Sequence, residues 1–236
     1  MWKRSPALAS LWIAASLHAF QPDPAALRKL FEDALARRER AYGEADARTA
    51  QAARDLGLFL YRSGDAAASR RAMARTVQLD EKALGPNASQ TLEDVATLAS
   101  ISPRAQAEPL LRRAAESADP VVAGPALTSL AEMRREAGDP TAAALLLRRA
   151  LEKAEAADGR DGLTTALVLK ALARVSPAKD AVPLLLRAIS IDAASLGPGN
   201  AATIQDVRSL AALLRAAGEP AEAAKLESQF KISPGR

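Results

Sequence analysis

The chain contains no cysteine, a single histidine and very few aromatic residues, which make up 3% of its 236 residues. Without cysteine it has no disulfides, no thiol nucleophile and no lipid-modified cysteine. The histidine is His18, close to the N-terminus. If that end of the chain is removed, imidazole bases, Ser-His-Asp arrangements and Cys/His zinc sites are excluded as well. We therefore expect no catalytic residues, no cofactor and no metal.

The first 19 residues have the layout of a secretory signal peptide. Lys3 and Arg4 form a positive segment, and a short apolar stretch follows over residues 7–19. That stretch is too short to span a bilayer, and Ala19 is a small residue at the expected cleavage point. We predict an exported protein, periplasmic or secreted, with no stable membrane insertion after cleavage. An uncleaved membrane anchor and a buried first helix are the alternatives.

Positive and negative side chains are interleaved along the chain. The formal net charge is +4, and loss of Lys3 and Arg4 would lower it by two. Residues 37–40 and 134–136 each mix both signs within a few positions. Such mixing is typical of solvated helix faces and differs from the basic stripe of a nucleic-acid-binding protein. We therefore expect no nucleic-acid partner.

The chain repeats itself at two spacings. Residues 102–114 return 74 positions later as residues 176–188, with Ser-Pro and Pro-Leu-Leu in corresponding places. Leu84-Gly85-Pro86 returns 112 positions later as Leu196-Gly197-Pro198, and Thr91 returns as Thr203. Self-similarity of this kind indicates stacked supersecondary units, which usually bind other molecules.

Between helix-breaking residues, almost every segment predicts an α-helix. We expect an N-terminal helix within residues 20–46, a repeat domain over residues 47–231 and a flexible tail at 232–236. Turns of the Gly type at Gly64, Gly138 and Gly218 alternate with Ser-Pro turns at Ser102 and Ser176. Gly suits a helix C-terminus, whereas Ser and Pro suit a helix start. The five predicted hairpins pair residues 47–63 with 65–83, 88–101 with 103–118, 120–137 with 139–157, 161–175 with 177–195, and 200–217 with 219–231.

These residues resemble tetratricopeptide repeats, in particular the longer type found in kinesin light chains. The first repeat matches that pattern at Leu56, Gly57, Leu60 and Gly64. The third and fifth repeats match it at Leu130, Ala131, Gly138, Ala143, Leu147 and Ala150, and at Leu210, Ala211, Leu214, Gly218, Glu222 and Ala223. Repeats two and four depart from it because they lack the turn glycine. The resemblance implies an all-α fold, a right-handed α-solenoid of about five helical hairpins with an extra N-terminal helix.

The resemblance also implies that the first helix of each hairpin lines a concave groove for a peptide or protein. The candidate groove residues are Arg54, Tyr61, Arg62, Arg135, Lys170, Arg174, Arg208 and Arg215. On the last first helix, the full set of ligand-facing positions is Gln205, Arg208, Ala212 and Arg215. Arg54, Lys170 and Arg208 occupy one position of three repeats. Since basic side chains pair well with carboxylates, the groove is expected to suit an acidic segment.

The alternative for these basic residues is that their methylene groups simply cover alanine-rich helix faces. The function predicted overall is an exported, non-enzymatic scaffold or adaptor. One alternative is a cytoplasmic regulatory scaffold with an uncleaved N-terminus. A second is a helical carbohydrate-active hydrolase with paired carboxylates, which the scarcity of aromatic residues disfavours. The outer face of the last helix leaves homo-oligomerisation open.

Overall fold

The computed structural model describes residues 23–232, which form eleven α-helices and contain no β-strand. The predicted signal peptide lies outside the described residues, as does most of the predicted tail. In chain order the helices are α1 Pro24–Tyr42, α2 Ala47–Arg62, α3 Ala66–Ala83, α4 Ser89–Ser100, α5 Arg104–Ala115, α6 Pro120–Glu136, α7 Pro140–Asp158, α8 Leu163–Val175, α9 Ala178–Ser195, α10 Ala201–Ala216 and α11 Pro220–Gln229. The predicted fold class, a leading helix followed by five helical hairpins, is confirmed.

The chain divides into two compact units, Met1–Pro86 and Asn87–Arg236. In the described part of the first unit, α2 packs against both α1 and α3. In the second unit, α4 to α11 pack in sequence, each against the next. The first helices α4 and α6 also contact each other, as do α6 and α8. In these two cases first helices are therefore neighbours of first helices, as in repeat proteins.

Local chemistry fixes where the helices begin and end. Six helices begin at a residue whose side-chain oxygen accepts a hydrogen bond from a backbone N–H of the first turn: Asp23, Asp46, Asp65, Asp119, Asp139 and Asn200. Such caps satisfy amides that have no partner within the helix. The turn glycines Gly64, Gly138 and Gly218 all have positive φ, between 79° and 84°. They end the first helices of three hairpins, as predicted.

A buried threonine fixes three of the linkers that lead into a first helix. Each threonine is fully buried, and its Oγ1 donates to the carbonyl oxygen of a linker glycine six positions earlier. These bonds join Thr49 to Gly43 at 2.8 Å, Thr165 to Gly159 at 2.8 Å and Thr203 to Gly197 at 3.2 Å. The bonds give Gly197 and Thr203 a structural reason to occur together in the sequence.

The cores are built from alanine and branched aliphatic residues. In the second unit, Leu127, Leu169, Val207 and Leu210 are completely buried, together with many alanines. Small side chains let neighbouring helices approach closely, and each buried leucine contributes on the order of 2 kcal/mol of hydrophobic stabilisation. No helix in the described range, residues 23–232, is both long enough and apolar enough to cross a bilayer.

Candidate peptide-binding site

The first helices α4, α6, α8 and α10 of the second unit are separated by three open clefts. The cleft between α4 and α6 has a volume of about 430 Å³, that between α6 and α8 about 550 Å³, and that between α8 and α10 about 610 Å³. We call the exposed faces of these four helices the first-helix wall. It is the surface on which the predicted groove residues of the last four repeats were expected.

Helix α8 forms the ridge between two of these clefts. Leu167, Ala171 and Arg174 line the clefts on both sides of it. Their spacing of four and three residues places them on one face of the helix. Leu167 is 63% exposed, so a large aliphatic side chain stands at the centre of the wall.

The cleft between α6 and α8 is mainly apolar. Val121, which is 66% exposed, lies on the α6 side, and Leu167 lies on the α8 side. Gly124 and Pro125 also line this cleft. Pro125 lies inside α6 and has no N–H to donate to the carbonyl of Val121. Large aliphatic side chains exposed in a concave surface are typical of binding sites.

Two predicted groove residues, Arg135 and Arg174, line a smaller cleft of about 210 Å³ together with Glu132. Arg135 Nη2 lies 2.5 Å from Glu132 Oε1, and Nε lies 2.9 Å from Oε2. The hydrogen bonds from Arg135, opposed by burial and supported by the charges of Arg135 and Arg174, lower the pKa of Glu132. Arg174 is exposed, so its guanidinium is accessible to a ligand in this smaller cleft.

Lys170 has a different environment because it joins three helices. Its Nζ lies 3.0 Å from Oδ2 of Asp192 on α9 and 2.9 Å from Oδ2 of Asp206 on α10. The side chain of Asp192 is only 3% exposed. Although burial opposes it, the hydrogen bonds that Lys170 donates to Asp206 and Asp192 raise the pKa of Lys170 above its ordinary value. The ammonium group of Lys170 is therefore engaged in ion pairs within the protein, although Lys170 lines the cleft between α8 and α10.

The two candidate residues on α10 differ from each other. Arg215 Nη2 lies 2.5 Å from Oε2 of Glu227 on α11, whose side chain is 3% exposed. Arg208 is exposed and lines none of the three clefts of the wall. The α10 residues that line the cleft are Asp206, Ser209 and Leu213, each one position after a predicted one. One residue rotates a helix by about 100°, so sequence spacing alone missed this face.

The remaining candidates belong to the first unit. Arg54 Nη2 on α2 lies 2.9 Å from Oδ2 of Asp80 on α3, whose side chain is 1% exposed. Tyr61 is 57% exposed and Arg62 is also exposed. Arg54 and Lys170, which share a repeat position, thus both pair with a buried aspartate of their own second helix. The assignment of the eight residues to a ligand site stays a prediction.

The acidic residues that line the clefts of the wall form ion pairs with basic residues of the same chain. Glu132, Glu136 and Asp206 line its clefts, and each pairs with a basic residue, Arg135, Arg104 and Lys170 respectively. Within residues 23–232, no group of three or more His, Cys, Asp or Glu side chains is placed to hold a metal ion. The wall therefore offers apolar surface and, on its α8 ridge, the exposed guanidinium of Arg174.

Comparison with known proteins identifies one repeat directly. Residues 49–87, which span α2, α3 and the following linker, match the tetratricopeptide repeat family model. No curated protein matches this chain. The predicted resemblance to tetratricopeptide repeats is confirmed for this segment.

Two solved structures share the fold over most of the chain. BtubC (BKLC) from P. vanneervenii is 15% identical, with a TM-score of 0.67 over 92% of this chain and 96% of that one. A putative kinesin light chain with nearly identical TPR-like repeats, from Podosopora anserina, is 19% identical, with a TM-score of 0.57 over 77% of this chain and 92% of that one. The fold is thus that of kinesin-light-chain-like repeat proteins. Tetratricopeptide repeat folds are typical of protein-interaction scaffolds.

Proposed function

We propose that this chain is a non-enzymatic scaffold whose first-helix wall holds an extended segment of a protein partner. The observation that carries the proposal is the pair of exposed aliphatic side chains, Val121 and Leu167, on the two sides of the α6–α8 cleft. Covering each of them would stabilise a complex by on the order of 1 kcal/mol or more. An aliphatic side chain of the partner fits this environment.

We propose that Arg174 gives the wall its preference for an acidic partner segment. Leu167 and Arg174 are seven residues apart on α8, which corresponds to about 10 Å along the helix axis. An extended peptide covers about 10 Å with three residues. A partner segment with an aliphatic residue three positions from a glutamate or aspartate would therefore reach both side chains. Arg54, Lys170 and Arg215 contribute less to this preference because each is held by a carboxylate of the fold.

The proposal predicts that peptides with Leu three positions before Glu bind through Leu167 and Arg174. We expect Leu167→Ala and Arg174→Ala each to weaken binding of such a labelled peptide about tenfold, since each substitution removes on the order of 1.4 kcal/mol. Fluorescence anisotropy would measure the affinities, with peptides carrying Gln in place of Glu for comparison.

Two substitutions serve as matched controls. Leu145 on α7 is 57% exposed and Arg208 on α10 is exposed, and neither lines a cleft of the wall. Leu145→Ala and Arg208→Ala should leave the affinity within about twofold of the original, as expected of residues away from the contact. Equal losses in all four variants, or no loss in any, would show that the peptide does not bind at the wall.

Export is the second part of the proposal, and the layout of residues 1–19 supports it. Mass spectrometry of the protein isolated from its native cells is expected to find a chain that begins after residue 19. Retention of Met1 would instead favour the cytoplasmic regulatory scaffold. This measurement is independent of ligand binding, so the two parts of the proposal are tested separately.

A further inference from the structure

A further cleft lies between α5, α6 and α7, apart from the first-helix wall. Its volume is about 300 Å³, and it is lined by Arg112, Arg134, Arg149, Glu116, Ala115, Leu130 and Leu146. None of these residues lines a cleft of the wall. We call it the arginine cleft, because three guanidinium groups surround it.

The acidic residues of the fold only partly neutralise these arginines. Arg112 Nη2 and Arg134 Nη2 lie 2.6 Å and 2.5 Å from the same oxygen, Oε1 of Glu108. The hydrogen bond from Arg134, opposed by burial and helped by the charges of both arginines, lowers the pKa of Glu108. Glu108 therefore stays ionised, and it is shared by two cations.

Arg149 has the weakest partner of the three arginines. Its Nη2 lies 3.4 Å from Oε1 of Glu116, and the two side chains are 52% and 74% exposed. An exposed ion pair of this length contributes little to stability. Glu116 can leave Arg149 at little cost, and Arg149 is then open to another carboxylate while Arg112 and Arg134 share Glu108.

We propose that the arginine cleft binds an acidic side chain of a protein partner, which takes the place of Glu116 beside Arg149. The carboxylate of Glu116 already lies beside Arg149, so a carboxylate of the partner would replace a carboxylate of the chain. Leu146 and Ala115 add an apolar side to the cleft, which suits the methylene groups of a glutamate. A nucleic-acid phosphate has no such apolar stem, and this favours a protein partner.

Labelled hexaglutamate is the probe for this proposal, measured by anisotropy at low salt. Arg149→Ala is expected to weaken its binding about three- to fivefold, in line with an exposed charge-assisted contact. Arg148→Ala is the matched control, because Arg148 is the exposed neighbour of Arg149 but does not line the cleft. It should change the affinity by less than about 1.5-fold.

Replacing Glu116, the carboxylate that competes with the probe for Arg149, should strengthen binding of the probe. Glu116→Gln is expected to strengthen hexaglutamate binding about twofold or more, because Arg149 no longer has a carboxylate partner. Glu222→Gln on α11 makes the same charge change at another exposed site and should have no comparable effect. Circular dichroism would check that all variants keep the helical content of the original chain.

Several results would overturn the proposal. Equal weakening by Arg148→Ala and Arg149→Ala would show general charge attraction without a defined site. An increase no larger for Glu116→Gln than for Glu222→Gln would show that Glu116 does not compete. Failure of hexaglutamate to bind, or tighter binding of a hexathymidylate oligonucleotide, would also overturn the proposal. Sensitivity to Arg174→Ala alone would place the acid at the wall, so the two sites are distinguishable.

Discussion

Replacing Lys170 with methionine is expected to lower the free energy of unfolding by about 3 kcal/mol at neutral pH, because it leaves a buried charge without its partner. Lys170 joins Asp192 and Asp206, and the side chain of Asp192 is 3% exposed. Methionine keeps much of the length of lysine but supplies no positive charge. Urea unfolding followed by circular dichroism would measure the change.

The matched control is Arg208→Met, at the same repeat position on α10. Arg208 is exposed, so its replacement should change stability by less than about 0.5 kcal/mol. In a double-mutant cycle, adding Asp192→Asn to Lys170→Met should restore part of the loss, because it removes the unpaired carboxylate. If Lys170→Met and Arg208→Met had equal effects, the three-helix ion pair would not be stabilising the fold.

The pH dependence follows from the raised pKa of Lys170. A lysine whose pKa is higher in the folded chain stabilises it fully below its ordinary value of 10.5. That stabilisation is lost as pH rises through the folded value. The stability difference between the original chain and Lys170→Met should therefore be constant between pH 7 and 9 and should shrink above 10.5.

Replacing Gly162 with alanine is expected to cost about 2 kcal/mol of stability, through crowding and a damaged helix start. A Cβ at Gly162 would lie 2.3 Å from Cγ and Oδ2 of Asp158 and 2.5 Å from its backbone oxygen. Asp158 Oδ2 also accepts a hydrogen bond from the N–H of Thr164 at 2.9 Å. Because the backbone oxygen is involved, a side-chain rotation alone cannot make room.

Gly199 provides the control for this substitution. It lies in the corresponding linker before α10, and a Cβ there would meet nothing within 4 Å. Gly199→Ala should be neutral or slightly stabilising, since alanine restricts the unfolded chain. Thermal unfolding of the two variants would compare them directly. A loss in Gly199→Ala equal to that in Gly162→Ala would point to flexibility of the linkers in place of the contact with Asp158.

The ion pairs change the interpretation of the basic residues in the first helices. Their recurrence suggested a basic groove, yet Arg54 and Lys170 each hold a buried aspartate on the second helix of the same hairpin. Arg215 holds the buried Glu227 in a similar way. A basic residue that recurs in the repeats can thus stabilise the packing of the two helices of a hairpin. In the second unit, Arg174 remains as the exposed guanidinium on the α8 ridge of the wall.

The sequence by itself determined the helices, the turns and the hairpin pairing. Aspartate, asparagine, glycine and proline act within a few residues of their own position, so the ends of α2 and α6 were predicted to within one residue. Repetition then added the register of the hairpins. Both kinds of information are local or periodic, which is why one sequence sufficed.

Only the tertiary structure decided which side chains face a cleft and which pair with each other. Lys170 and Asp206 are 36 positions apart, and their contact depends on how α8 and α10 are placed across α9. A rotation of about 100°, equal to one residue, exchanges Arg208 for Ser209 as the cleft residue of α10. The repeat pattern constrains buried positions to a narrow choice of residues but leaves exposed positions free. The wall and the arginine cleft are formed by these freer positions, so they emerged only from the packed helices.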